Sequence, residues 1–180
     1  GQMMLVLKAL GAKGIVETLA DKIGMTCYAE NLGIAMEDKI SGKLTCSMDI
    51  IRTEGDTVSA VMDIRYPVLF NLDAALALLQ SGLSDCEVIN IHSRAPHFVS
   101  EDTQLVKELL EAYHEVTGLE KKAIAIGGGT YVHHIDNGVA FGCMVPEVDN
   151  HLHGADEFMV IDAMLESCLI FAQAIIALCG

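Results

Sequence analysis

Tryptophan is absent and aromatic residues make up only 5% of the 180. A chain of this length can bury a substantial core, so that core must be built from Ala, Ile, Leu, Val and Met. Basic residues are also scarce: 11 Lys and Arg stand against 25 Asp and Glu, a formal charge of −14. With no basic footprint for phosphates, the composition argues against a nucleic-acid partner, and the same charge argues against an anionic membrane surface. The six cysteines, Cys27, Cys46, Cys86, Cys143, Cys168 and Cys179, show no C-x-x-C spacing. They read as reduced, mostly buried thiols of a cytoplasmic protein, not as a disulfide framework. A basic leader and a cleavage pattern are missing, so no signal peptide is expected. There is no Walker motif, nucleophile elbow, Cys-His signature, repeat or low-complexity segment.

What is present is apolar patterning. Residues 159–179, "MVIDAMLESCLIFAQAIIALC", are long enough to be tested as a membrane span. Asp162, Glu166 and Gln173 interrupt the run and no basic flank orients it, so a buried core helix is expected. Residues 3–22 carry helical periodicity, weakened by Gly11 and Gly14. The pattern is under way almost from Gly1, which suggests a piece of something longer. Residues 24–42 are loop-rich with one short helical turn.

The clearest strand signal is "LTCSMDIIRTEGDTVSAVMDIRYP". Leu44, Cys46, Met48 and Ile50 alternate with more polar positions, and Val58, Ala60, Met62 and Ile64 do so after the turn at Glu54-Gly55-Asp56. A helix capped by Asn71 and closed by Gly82 follows, then a strand "CEVINIHSR". Helix, hairpin, helix and strand make a ferredoxin-like α/β sandwich whose first strand is missing or donated from upstream. After a boundary at "RAPHFVSED", Ser100 is the expected N-cap of an amphipathic helix with the stripe Leu105, Leu109, Tyr113 and Val116, acidic residues in its first turn, and Gly118 after it. "KKAIAIGGGTY" reads as a short buried strand entering a glycine loop, and "GVAFGCMV" as a further strand. The second half is thus an α/β layer.

Three features could carry chemistry. Arg65 lies on the same strand face as Asp63, as a surface ion pair worth little or as a planar fork for a carboxylate. Gly127, Gly128 and Gly129 with Thr130 form either a tight strand-end turn or a backbone loop that takes a small anion. "NHLHGADEF" at 150–158 is either part of a metal site or a polar cluster opening the last helix. His133 and His134 are adjacent and cannot easily share a metal in extended backbone, and His114 sits among glutamates.

In their order and spacing, "SMDIIRTEGDTVSAVMDIRYPV", "IAIGGGTYVHHIDNGVAFG" and "HLHGADEFMVIDAML" resemble the PepV-type dipeptidases (Xaa-His, carnosinase-like) of the M20 family of zinc peptidases. The resemblance covers essentially the whole chain. It implies an α/β architecture in which residues 1–95 are part of a ferredoxin-like α+β lid and residues 96–180 close the catalytic domain. It further implies His153 as one zinc ligand, Arg65 as the lid arginine that binds substrate, and Gly127, Gly128, Gly129 and Thr130 as the loop near the substrate carboxylate. Asp156 and Glu157 would start the terminal helix and support the site. The reaction implied is hydrolysis of a dipeptide by water activated between two Zn²⁺ ions. Nothing matches H-x-D-x-V or the D-E-E signature, so the remaining ligands and the general base would precede Gly1, and the chain alone would be inactive. A homodimer through the lid is also implied. The alternative from a different class is a non-enzymatic ferredoxin-like binding or oligomerisation module with an open sheet edge.

Overall fold

A computed structural model describes residues 2–89, 92–142 and 148–180. The chain divides into two compact units, Gly1–His97 with Ala125–Gly128, and Phe98–Ile124 with Gly129–Gly180.

In the first unit, the helix expected over 3–22 is two helices, α1 (Gln2–Ala9) and α2 (Ile15–Lys22). Gly11 and Gly14 take φ of +93° and +67°, values that L side chains resist and glycine accepts, so the chain reverses between them. Lys8 and Asp21 form an ion pair that ties the two helices together. Met4, Leu19, Ala20 and Ile23 form the buried seam of this helical pair, packed against Met48, Ile51 and Met62. A 3₁₀ turn at Glu30–Leu32 is the short helical turn of the loop-rich stretch. A small ladder joins β1 (Glu37–Asp38) to β2 (Gly42–Lys43).

The expected hairpin is β3 (Thr45–Glu54) paired antiparallel with β4 (Thr57–Arg65). Its period-2 reading fails at a bulge, and Ala60, expected on the core face, is exposed. Met48 pairs with Met62 and Ile50 with Val61, leaving Asp49 as an extra residue in the ladder. A β-bulge of this kind puts two residues opposite one and reverses the inward phase. Ile51 therefore packs inward with Met48, and Ile50, expected on the core face, is exposed. Before the bulge the alternation holds, with Leu44 and Cys46 buried.

Helix α3 (Leu72–Gly82) begins as expected, the Asn71 side chain accepting from the Ala74 N–H at 3.0 Å. Gly82 is its last residue and not a left-handed cap. Ala75, Leu79 and Leu83 close the core over Leu32, Ile34, Leu44 and Cys46. The strand expected over 86–94 does not form among the described residues, and Asn90 and Ile91 lie outside them. Instead the Gln80 amide stands in for a neighbouring strand, donating to the Cys86 carbonyl at 2.9 Å and accepting from the Val88 N–H at 3.0 Å. The arrangement is one of mixed helix and sheet, with helices α1, α2 and α3 packed against the β3–β4 hairpin.

The second unit pairs α4 (Gln104–Thr117) with α5 (Ile161–Cys179). Thr103, not Ser100, caps α4: its hydroxyl accepts from the Val106 N–H at 3.4 Å and donates to the Ser100 carbonyl at 2.9 Å. Glu101 and Asp102 thus precede the helix, and its first turn holds no acid. The buried stripe is Val106, Leu109 and Ala112, with Leu105, Tyr113 and Val116 half-buried beside it. Gly118 closes α4 in the left-handed region, as expected. Leu109, Ala112 and Ala174 form the core with Leu105, Val139 and Phe141, and Phe141 meets Phe171 edge-on at 5.5 Å.

Helix α5 is not the buried core helix expected. Only Ser167, Ile170 and Ala174 are buried, whereas Ile161, Leu165, Leu169 and Ile176 are exposed. By length and composition alone it would also pass as a membrane span. The short buried strand expected before the glycine loop, at 121–126, does not form among the described residues, and Ile124 and Ile126 are exposed. Residues 138–142 are irregular too, and 143–145 of that expected strand, with Cys143, lie outside the described residues. The cysteines are also less buried than expected: Cys46 is buried and Cys86 half-buried, but Cys27, Cys168 and Cys179 are exposed.

Candidate functional site

Arg65 ends β4 opposite Thr45, at the last rung of the hairpin. Its Nε donates to Asp63 Oδ2 at 3.2 Å, which the strand period places on the same face. Its Nη1 donates to the Gly127 carbonyl at 2.9 Å. A Cβ on Gly128 would come within 4.0 Å of the same Nη1. The guanidinium offers five N–H donors, so these two bonds leave donors directed elsewhere. Both side chains are about half exposed, 56% for Arg65 and 44% for Asp63, and the pair itself is worth little to stability. What it fixes is the plane of a half-open fork, the geometry suited to a carboxylate.

The chain leaving β4 is held tightly. Tyr66 donates its hydroxyl to the Arg94 carbonyl at 2.7 Å and stacks on Phe70. Asp38, which sequence reasoning missed, accepts on Oδ1 from the Ile40 and Ser41 N–H groups at 2.9 and 2.6 Å and from the Ser41 hydroxyl at 3.0 Å. Its Oδ2 accepts from the Leu69 N–H at 3.1 Å. Led by the Ser41 N–H, these donors hold the Asp38 carboxyl below its usual range despite the opposing effect of burial. The signal that could have found it is Asp-x-x-Ser at 38–41, a turn-forming spacing.

In the glycine loop, none of Gly127, Gly128 and Gly129 has a positive φ. Freedom from left-handed strain is therefore not what calls for glycine here. At Gly127 the loop presents a carbonyl, which orients Arg65. At Gly129 a Cβ would lie 3.0 Å from His133 Nε2, so the imidazole would have to shift by a few tenths of an ångström to admit one. Thr130 precedes a 3₁₀ turn at Tyr131–His134 and makes no side-chain cap bond. Gly129, Thr130 and His153 belong to the second unit, while Arg65, Gly127 and Gly128 are brought together in the first.

The stretch 150–158 is a closed loop and not a helix start. Phe158 N–H returns to the Asn150 carbonyl at 3.2 Å, and α5 begins only at Ile161 with Val160 as its cap. Asp156 and Glu157 are thus outside the helix, contrary to expectation. Glu157 does support the loop, its carboxylate accepting from the His153 N–H at 3.3 Å. Asp149 accepts from the His151 N–H at 3.0 Å, and the His151 ring meets Phe158 edge-on at 5.7 Å. His151, His153 and Asp156 all take φ near +60°. His and Asp enter this left-handed region more readily than most side chains, and three such residues in one short loop set its closed path. His153 is exposed. Among the described residues no three His, Cys, Asp or Glu side chains are placed to hold a metal ion. Zinc needs three or four ligands, so these residues do not by themselves fit a zinc centre.

Compared with known proteins, residues 7–177 match the peptidase family M20/M25/M40. The chain is 36% identical over 164 residues to a Bacillus subtilis protein named "Putative dipeptidase YtjP", an alignment covering 91% of this chain and 35% of that protein. It is 30% identical over 165 residues to the Beta-Ala-Xaa dipeptidase of Lactobacillus delbrueckii subsp. lactis, with the same two coverages, 91% and 35%. The chain thus spans about a third of the length of these curated relatives.

Proposed function

The chain belongs to the peptidase family M20/M25/M40, and from that membership we propose that it forms part of a metal-dependent dipeptidase of the PepV type. In this reading residues 1–95 belong to a ferredoxin-like lid and residues 96–180 to the end of the catalytic domain. The substrate is a dipeptide. Arg65 takes the substrate's C-terminal carboxylate while the Gly127 carbonyl and Asp63 hold the fork in plane. Gly129 and Thr130 are assigned to the same loop on the resemblance alone. His153 would supply one ligand to the family's zinc, although the described residues place no group of three ligands that could hold a metal. A cytoplasmic location and a homodimer through the lid belong to the same proposal.

The observation that carries the reading is the bond from Arg65 Nη1 to the Gly127 carbonyl, which joins the two motifs that the family resemblance puts at the substrate carboxylate. Positioning of this kind aligns the scissile bond without itself making or breaking one. The test is a nitrogen–proton NMR titration of the chain with a simple dipeptide and, in parallel, with its C-terminal amide. The free carboxylate is expected to move the Arg65, Gly127 and Gly128 signals, and the amide is not. Equal responses to both ligands, or none to either, would defeat the assignment. With Zn²⁺ added, the chain alone is expected to hydrolyse no dipeptide.

A further inference from the structure

Arg65 is fixed on one side by the hairpin ladder, where it pairs with Thr45. On its other side the chain is fixed by a buried carboxylate. Asp38 is 8% exposed, and no Lys or Arg pairs with it among the described residues. A buried charge of this kind is costly unless donors meet its lone pairs. Here the donors come from two segments: Ile40 and Ser41 in the turn between β1 and β2, and Leu69 beyond β4. Ser41 extends the staple, its hydroxyl accepting from the Val68 N–H at 2.9 Å. Only Tyr66 and Pro67 separate the last ladder rung from the stapled residues, and the proline ring fixes its own φ. The backbone of Arg65 is therefore held between two anchors, and its fork reaches Gly127 from that fixed position.

We infer that Asp38 is a positioning residue for Arg65: by stapling Leu69 directly, and Val68 through the Ser41 hydroxyl, to the β1–β2 turn it sets the direction in which the guanidinium meets its partners. The functional weight of this rests on the reading of Arg65 as a carboxylate fork. The staple differs from ordinary turn chemistry in one respect. A turn needs only the Ile40 and Ser41 bonds, whereas the Leu69 and Val68 bonds span 31 and 27 positions of sequence and tie that turn to the exit from β4.

The experiment measures proton exchange at Arg65 Nε–H by NMR on the full chain, in the wild type, Asp38→Asn and Ser41→Ala. Exchange is expected to quicken about tenfold in Asp38→Asn, as local opening frees the fork, and less in Ser41→Ala. The Met62 and Leu79 amides should keep wild-type protection, showing that the cores are intact. An unchanged Arg65 rate in an Asp38→Asn chain whose Val68 and Leu69 amides have lost protection overturns the inference and leaves Asp38 a turn staple only. If Asp38→Asn does not fold, Asp38→Glu decides in the same way, because it keeps the charge and moves the carboxylate away from the Leu69 N–H: an unchanged Arg65 rate with Leu69 protection lost overturns the inference. A dipeptide titration of the same samples judges the carboxylate reading separately. A wild-type chain that ignores dipeptide defeats that reading, while the exchange ratio still judges the positioning.

Discussion

Arg65 Nη1 lies 2.9 Å from the Gly127 carbonyl oxygen, a bond that spans 62 positions of sequence. With Asp63 on Nε, it fixes both the plane and the direction of the fork. Arg65→Lys keeps the charge and loses the planar array of donors. It is expected to weaken binding of a dipeptide's free carboxylate by about 1.5–3 kcal/mol, the scale of a hydrogen bond to a charged group. Its effect on stability is expected to be below about 1 kcal/mol, because the ion pair is exposed. Calorimetric titration and urea denaturation of the two proteins check the two halves of this prediction. Equal affinities would show that charge alone is read at this position.

The hairpin that carries Arg65 was legible because a period-2 alternation needs only one buried face and a turn, and Gly55-Asp56 supplies the turn. The bulge at Asp49 was not, since both Ile50 and Ile51 are apolar and either could face inward. Ser100 and Thr103 present the same difficulty: both hydroxyls can cap, and only the path of the chain decides between them. The segments 86–94 and 121–126 read as strands from composition, but a strand also needs a ladder partner, and no periodicity reports one. Within the site, Arg65 and the glycines were visible as motifs. Asp38 was not, because its role depends on two amides about thirty positions away.

Leu44 has no exposed surface and sits where the first core meets the start of β3. Its N–H donates to the Met36 carbonyl at 2.8 Å, so its backbone is held as firmly as its side chain. Leu44→Ala is expected to cost about 2–5 kcal/mol, from lost burial together with the cavity left behind. Ile50→Ala, on the exposed side of the bulge, is expected to cost far less. Comparing their denaturation midpoints tests the bulge directly. A larger loss for Ile50 would restore the uninterrupted alternation.

Asp38 gives the fold an acid-sensitive link. Its carboxyl is held below the ordinary value of 3.8 by the N–H groups that it accepts from. A carboxyl whose folded pKa is depressed contributes stability above its unfolded pKa and loses that contribution as pH falls through the folded value. The link should therefore be fully present at neutral pH and vanish only below about 3.8. Urea denaturation of the wild type and Asp38→Asn across pH 7 to 3 is expected to show the wild type more stable at the upper end. The difference should begin to narrow only below about pH 3.8. A gap that stayed constant with pH would mean that the ionised form has no special role.

Gly154 sits at the crossing point of the loop that carries both histidines. A Cβ built there would lie 2.9 Å from the His151 carbonyl oxygen, which is backbone and cannot swing aside. That same oxygen accepts the Gly154 N–H at 2.6 Å. Gly154→Ala must therefore widen the turn between His151 and Gly154, and the positive φ of His151 and His153 loses its support. The overall denaturation midpoint should change little, because every residue from 151 to 160 is exposed. The expected effect is local: loss of the His153 N–H bond to Glu157, seen as faster amide exchange at His153. The edge-on contact of His151 with Phe158 should weaken with it, seen as movement of the His151 ring signals. If His153 and His151 kept wild-type exchange and shifts in Gly154→Ala, the closed loop would owe its shape to Glu157 and Asp149 alone.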